Sequence, residues 1–158
     1  MFLILLISEL EKYKWNIEHK ITSNDPFYYI IFKESVISFY RNHQYSSVEC
    51  FIRQKKDNHS DISLAEVLEF NGFDFPDLYW DQSSVSEKEY LVQYIKIIYE
   101  KLLNIINGDI ESLRKIELRH SNIGKIQDAL NTAFVFDSLV YKKMMSGDES
   151  WEFDLKNI

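Results

Sequence analysis

Residues 27–53 combine aromatic and β-branched side chains with very short polar connections, and this combination restricts the fold more than any other part of the sequence. Two breaks, Lys33–Ser35 and Arg41–Gln44, divide it into three segments, residues 27–32, 36–40 and 45–53. Aromatic and β-branched residues favour strands. Parallel neighbours need a connection of a dozen or more residues, so such short breaks predict an antiparallel meander.

A fourth strand is predicted before this meander. Four residues alternate strictly with polar neighbours over positions 15–22: Trp15, Ile17, His19 and Ile21. This period of two is typical of a half-buried strand. Residues 23–26, Ser-Asn-Asp-Pro, then end the strand with turn-forming side chains.

Helical patterns flank the sheet on both sides. Residues Leu3, Leu6, Leu10 and Tyr13 form an apolar stripe at helical spacing, which predicts a first helix ending near Lys14. After a polar loop over residues 54–61, two capping-box patterns begin further helices, one over Ser63–Glu66 and one over Ser86–Glu89. The second begins the clearest helix, whose stripe is Leu91, Ile95, Ile98, Leu102 and Ile105 and whose end is marked by Gly108.

Two more helices are predicted in the last third of the chain. Asp109 caps a helix that carries Ile110, Leu113 and Ile116, and a final long helix runs from about Lys125 to Gly147. The tail from 148 to 158 alternates apolar and polar residues, so we expect it to dock as a short strand.

The fold class predicted is therefore α+β: an N-terminal helix, an antiparallel β meander of about four strands and a helical C-terminal half. No repeat, linker or low-complexity segment divides the chain. We predict one domain over residues 1–158, with the helix and sheet in 1–53, the helices in 63–147 and the docking tail in 148–158. A length of 158 residues is typical of one domain.

Charge and cysteine content restrict the environment and the partners. The net charge of −7 and the pI near 5.1 disfavour binding to nucleic acid or to anionic membranes, and they favour a basic protein partner. With Cys50 alone, the chain has no disulfide framework and fits the reducing cytoplasm. The apolar opening Met1–Ile7 lacks the basic start and the cleavage site of a signal peptide, so we interpret it as the start of a buried helix.

No motif for catalysis or cofactor binding is found. The four glycines are isolated, which excludes a P-loop and a dinucleotide fingerprint, and no Gly-x-Ser-x-Gly elbow is present. Cys50 lies in a predicted strand and is interpreted as a small buried hydrophobe. Only Asp57, His59 and Asp61 cluster closely among metal-ligating residue types, and they lie in a polar loop. We therefore predict no enzyme activity, no metal and no cofactor.

The segment from Asn71 to Gln82 is the most unusual part of the sequence, because it places large aromatic side chains beside carboxylates. Rigid aromatics surrounded by acids are typical of a binding site for a basic protein. The alternative is that the aromatics fill the gap between two helices while the acids face water. The predicted partner-binding residues are Phe73, Asp74, Phe75, Asp77, Tyr79, Trp80 and Asp81.

Three parts of the sequence carry a resemblance to a known group: Leu10–Ile17, the strands over 27–53, and Leu64–Leu68. Together with the following long helix, they resemble small acidic immunity proteins of bacterial polymorphic-toxin and contact-dependent inhibition systems. The resemblance implies a cytoplasmic, non-enzymatic inhibitor that covers a basic surface or the active site of its cognate toxin. Because these proteins share a layout and no invariant motif, it assigns no functional residue.

Two alternative functions remain open. In the first, the chain is a homo-oligomeric or scaffold protein in which exposed aromatics of the meander pair across a symmetric interface. In the second, carboxylates that are distant in sequence converge around a divalent metal and form a hydrolase site. Neither alternative has a motif in its favour.

Overall fold

The computed structural model describes residues 1–15, 17–56, 60–74 and 86–131, together with residues 143, 146–148 and 150; within 125–131 it describes the backbone alone. The chain forms two compact units, Met1–Ile110 and Glu111–Ile158. The prediction of one domain over the whole chain stays a prediction. Along the described residues, no helix has both the length and the apolar composition needed to cross a membrane.

The N-terminal unit confirms the α+β class and the antiparallel meander. Its sheet has the order β1-β2-β3-β4-β5, and each strand is antiparallel to the next. The elements of this unit are α1 (Phe2–Lys12), β1 (Lys20–Asn24), β2 (Phe27–Ile31), β3 (Ser35–Asn42), β4 (Ser47–Gln54), β5 (Ile62–Ser63), α2 (Leu64–Phe70), α3 (Glu87–Lys101) and α4 (Leu103–Ile106).

The first strand is shorter than predicted. The alternation over residues 15–22 predicted a strand from Trp15, but β1 begins only at Lys20. The reason lies in the backbone of Lys14, whose φ of 46° turns the chain out of α1 in a direction that an extended strand does not continue. The His19 Nδ1 then lies 2.8 Å from the Ile17 carbonyl oxygen, a local bond that holds a compact bend. The prediction of a strand was therefore wrong for Trp15 and for residues 17–19.

The pairing register assigns the side chains of the sheet to two faces. The inner face carries apolar residues that are fully or almost fully buried: Tyr28, Ile30, Ile37, Phe39, Val48, Cys50 and Ile52. The outer face carries the alternate positions; Phe27, Tyr29, Tyr40 and Phe51 on it are exposed or half-buried, whereas Val36 and Ser38 in β3 are buried. This alternation of buried and half-exposed positions is what an antiparallel sheet produces when one face packs on a core.

Helices α1 and α3 lie against the inner face. In α1 the buried positions Phe2, Leu6 and Leu10 recur at a spacing of four residues, and the Phe2 ring lies 4.6 Å from that of Tyr28. In α3 the buried Tyr94 donates a hydrogen bond of 2.8 Å from its hydroxyl to the Val48 carbonyl oxygen. A polar contact of this kind fixes the position of α3 along β4, because a buried hydroxyl is costly to leave unpaired.

The starts of α2 and α3 match the predicted caps, whereas the predicted cap Asp109 lies one residue too early for the helix that begins at Glu111, and one predicted helix end also differs. Ser63 accepts a hydrogen bond from the Glu66 amide at the start of α2, and Ser86 and Glu89 form the complete capping box of α3. The predicted helix through Ile105 is divided, because Leu102 leaves the helical region at φ −121° and ψ 20°. Gly108 then ends α4 with a φ of 112°, a conformation that favours glycine.

The C-terminal unit begins with α5 (Glu111–Asn131), a single helix of 21 residues. The sequence predicted one helix around residues 110–116 and another from Lys125, but Gly124 lies inside α5 and does not interrupt it. At the predicted helix end, Gly147 has a φ of 79° and the Asp148 amide donates to the Lys143 carbonyl oxygen over 2.9 Å. This left-handed glycine confirms the predicted end. The tail over 151–158 lies outside the described residues.

Candidate functional site

The predicted partner-binding segment begins where α2 ends. Gly72, with a φ of 81°, reverses the chain after Phe70, and the Phe73 amide donates a hydrogen bond of 2.9 Å to the Leu68 carbonyl oxygen. The structure thereby places Phe73 half-buried and Asp74 exposed. The other five predicted residues, Phe75, Asp77, Tyr79, Trp80 and Asp81, lie outside the described residues.

Phe73 contacts the next helix and also keeps part of its surface accessible. Its ring lies beneath the Lys101 ammonium, with the Nζ 5.4 Å from the ring centroid, so Phe73 contacts the C-terminal end of α3 and helps to fill the gap between two helices. Its remaining surface stays accessible beside the Asp74 carboxylate. The aromatic and the acid are thus neighbours at the surface, in the arrangement predicted for a hot spot.

Exposed carboxylates surround α2, which is about 10 Å long at 1.5 Å per residue. We call Asp61, Glu69 and Asp74 the α2 acidic surface; all three are exposed. Asp61 lies 3.7 Å from the Arg53 guanidinium and is partly neutralised. Within the described parts of the chain, Glu69 and Asp74 have no ion-pair partner. These two charges are therefore available to a partner.

Charge is distributed unevenly along the N-terminal unit. In residues 1–56, Lys and Arg outnumber Asp and Glu, whereas in residues 57–110 the acids outnumber the bases by more than three to one. The acidity of the chain is thus concentrated in the part that contains the α2 acidic surface and the acidic aromatic segment. A single-signed region of this kind steers oppositely charged partners during association.

A second surface is the row of aromatics on the outer face of the sheet. The ring centroid of Phe27 lies 5.2 Å from that of Tyr40 and 6.3 Å from that of Tyr29. The rings of Phe27 and Tyr29 are nearly parallel. Phe27 is 41% exposed, which is unusual for such a large apolar side chain. We call Phe27, Tyr29 and Tyr40 the outer aromatic row.

Sequence reasoning missed an aromatic cluster between α1, the bend after it and α3. The Trp15 ring lies 5.7 Å from the Phe32 ring and 6.3 Å from both the His19 and the Tyr99 rings, and the Tyr13 ring lies 4.8 Å from that of Tyr99. The alternation of Trp15 with His19 was interpreted as a strand face. Trp15 and His19 do lie near each other, but they belong to this cluster, whereas Ile21 belongs to the sheet.

Few of the described groups have the features of a catalytic or metal-binding site. Cys50 is 2% exposed, and burial raises the pKa of its thiol well above the ordinary value, so the nucleophilic thiolate is suppressed. No group of three or more His, Cys, Asp or Glu side chains is placed to hold a metal ion among the residues that the structure describes. Of the predicted loop cluster, Asp57 and His59 lie outside that part and Asp61 faces Arg53. The absence of activity, metal and cofactor stays a prediction.

Comparison of the chain with protein-family models, with curated protein sequences and with solved structures finds no match in any of the three. The resemblance to immunity proteins accordingly stays a prediction. What bears on function is the pair of surfaces described above, one acidic and one aromatic.

Proposed function

We propose that this chain is a non-enzymatic, cytoplasmic protein-binding protein of the immunity type, which neutralises a cognate toxin domain by covering a basic surface or active site of that domain. The observation that carries the proposal is the α2 acidic surface. Its Glu69 and Asp74 carboxylates are exposed and, within the described residues, free of ion pairs, and Asp74 directly follows the half-buried Phe73 in the chain. An anchor of this composition fits a cationic protein surface.

The α2 helix gives this surface a rigid base. Leu64, Val67 and Leu68 are buried, and Ser63 caps the first turn with its side-chain oxygen. A helix that is fixed on one side and capped at its start loses little conformational entropy when its other side binds a partner. Of the three acids, Glu69 lies on α2 itself and is thus presented in a defined geometry, which favours a specific partner over nonspecific attraction.

The matching partner surface is basic, because the cost of removing these carboxylates from water is offset only by close opposite charges. Toxin domains that act on nucleic acids have basic active sites, since they bind phosphates with Lys and Arg. Occupation of such a site by acids excludes the substrate by both charge and volume. The proposal therefore needs no chemistry from the immunity protein itself.

The test is protection of cells that express a basic toxin domain recovered as the partner of this chain in a pull-down from the native lysate. Expression of the wild-type chain restores growth, whereas the double variant Glu69→Lys and Asp74→Lys loses protection because it presents cations to a cationic surface. The matched control is the double variant Glu11→Lys and Glu18→Lys, which reverses the charge of two exposed acids elsewhere and so has the same net charge as the test variant. This control should still protect the cells. Equal loss in both double variants, or no protection by the wild type, contradicts the proposal.

A second candidate function is homo-oligomerisation through the outer aromatic row. The observation in its favour is the 41% exposure of Phe27 beside the rings of Tyr29 and Tyr40. Aromatic side chains at this exposure are enriched in interfaces. Sedimentation equilibrium decides: a concentration-dependent dimer that Phe27→Ser abolishes supports this function, and a monomer at all concentrations removes it.

A further inference from the structure

Four lysines gather at one end of the sheet, although they are far apart in the sequence. Lys20 begins β1, Lys33 lies in the turn between β2 and β3, and Lys55 and Lys56 follow β4. The meander brings them together, because the Lys55 amide donates a hydrogen bond of 2.9 Å to the Glu34 carbonyl oxygen next to Lys33. All four side chains are exposed. We call this place the lysine pocket.

Two adjoining cavities open at the lysine pocket, and Lys33 and Lys55 line both. The first, of about 320 Å³, has an apolar wall made by Ile31 and Phe32 and is bordered by His19. Among the described residues, the second, of about 360 Å³, is lined by Lys33, Glu34, Lys55 and Lys56. Each volume lies at the small end of the range for ligand sites. One cavity thus offers an apolar wall and the other offers cations.

The four ammonium groups lack a paired carboxylate among the residues that the structure describes. Within the described parts of the chain, none of the four lysines has a carboxylate within ion-pair distance, although Glu18 and Glu34 line the same cavities. Like charges that line the same cavity repel one another, and an anion between them relieves the repulsion. The lysine ammonium is moreover a common binder of phosphate. An uncompensated cationic group in a chain of net charge −7 therefore indicates an anionic ligand.

His19 supplies a flat surface beside the cations. Its Nδ1 donates a hydrogen bond of 2.8 Å to the Ile17 carbonyl oxygen, and its ring lies 6.0 Å from the Phe32 ring and 6.3 Å from the Trp15 ring. These contacts hold the imidazole in one orientation at the mouth of the apolar cavity. A held aromatic ring is a stacking surface for a nucleobase.

We propose that the lysine pocket binds a free nucleotide, with the phosphates on Lys33, Lys55 and Lys56 and the base against His19 and the apolar wall. This site is separate from the α2 acidic surface in its residues and in its charge. It goes beyond the proposed function and does not depend on it.

Calorimetric titration of the full chain with ATP, tripolyphosphate and adenosine tests the proposal. ATP binds with a Kd below about 1 mM, and each of the other two ligands binds at least about tenfold more weakly because it has only half of the recognised groups. The variant Lys33→Ser with Lys55→Ser weakens ATP binding at least about tenfold. The matched control on α3, Lys88→Ser with Lys96→Ser, changes it less than about twofold.

The variant His19→Ala separates the base from the phosphates: it weakens ATP binding and leaves tripolyphosphate binding unchanged. Three results overturn the proposal. The first is that ATP does not bind at about 1 mM. The second is that ATP and tripolyphosphate bind equally well, which would make the pocket a site for phosphate only. The third is that the α3 control loses as much ATP binding as the pocket variant, which would make the attraction a nonspecific charge effect.

Discussion

Tyr94→Phe tests the packing of α3 on the sheet with the smallest change that the structure offers. The substitution removes one hydroxyl, which lies 2.8 Å from the Val48 carbonyl oxygen in a fully buried environment. The ring remains, with its centroid 6.5 Å from that of Phe39 and 6.1 Å from that of Tyr90. The apolar packing is thus conserved, and the measured change reports the hydrogen-bonding role of the hydroxyl.

The net contribution of such a bond is about 1 kcal/mol, so Tyr94→Phe should lower the free energy of unfolding by about 0.5–1.5 kcal/mol. For a chain of this length, that corresponds to a fall in Tm of roughly 2–4 °C per kcal/mol. Urea and thermal denaturation followed by circular dichroism measure the change, and Tyr99→Phe is the matched control because Tyr99 is 38% exposed. An equal Tm for Tyr94→Phe and wild type would refute the docking of α3 on β4 through this bond.

Three further predictions concern single groups. The Cys50 thiol is buried and its pKa is raised by burial, so it should react with a thiol reagent only after urea is added; fast reaction in native buffer contradicts the packing. The Tyr28 hydroxyl donates a hydrogen bond of 3.0 Å to the Asp25 carboxylate and thereby lowers the pKa of Asp25. The ionised carboxylate therefore stabilises the folded state at pH values above the ordinary pKa of Asp. This stabilisation is lost as the pH falls through the lowered pKa that Asp25 has in the folded state. Tyr28→Phe should return the Asp25 pKa toward its ordinary value in a carboxyl NMR titration, and no movement would show that the bond is absent in solution. Ser38→Ala should leave stability unchanged or raise it by up to about 1 kcal/mol, because the buried Ser38 hydroxyl has no hydrogen-bond partner in the described part of the chain; a clear loss in denaturation would contradict this.

The fold was predictable where local signals agree. The strands over 27–53 have both β-forming side chains and connections too short for any other topology, and Ser63 and Ser86 mark helix starts that the structure confirms. Strand β5 was missed because Ile62 and Ser63 are only two residues, and their pairing with β4 depends on a partner that is distant in sequence. Gly124 was wrongly interpreted as a break between two helices, because a glycine can lie inside a helix when the surrounding residues favour helix formation.

The sites were less predictable than the fold. The segment after Gly72 is contiguous, so its aromatics and acids could be recognised directly, and their role in binding stays a prediction. The lysine pocket could not be recognised in this way, because Lys20, Lys33 and Lys55 become neighbours only when the strand register is known. The change of charge sign between residues 1–56 and 57–110 is the one sequence signal that separates the two surfaces.

The central claim is that the α2 acidic surface attracts a basic toxin domain. The most direct measurement is the association rate constant of the purified chain with that domain over a series of salt concentrations, for the wild type and for the double variant Glu69→Lys and Asp74→Lys. The account predicts fast association that slows steeply with salt for the wild type, and slow association with a shallow or inverted salt dependence for the variant. The same rates and the same salt dependence in both proteins would contradict it.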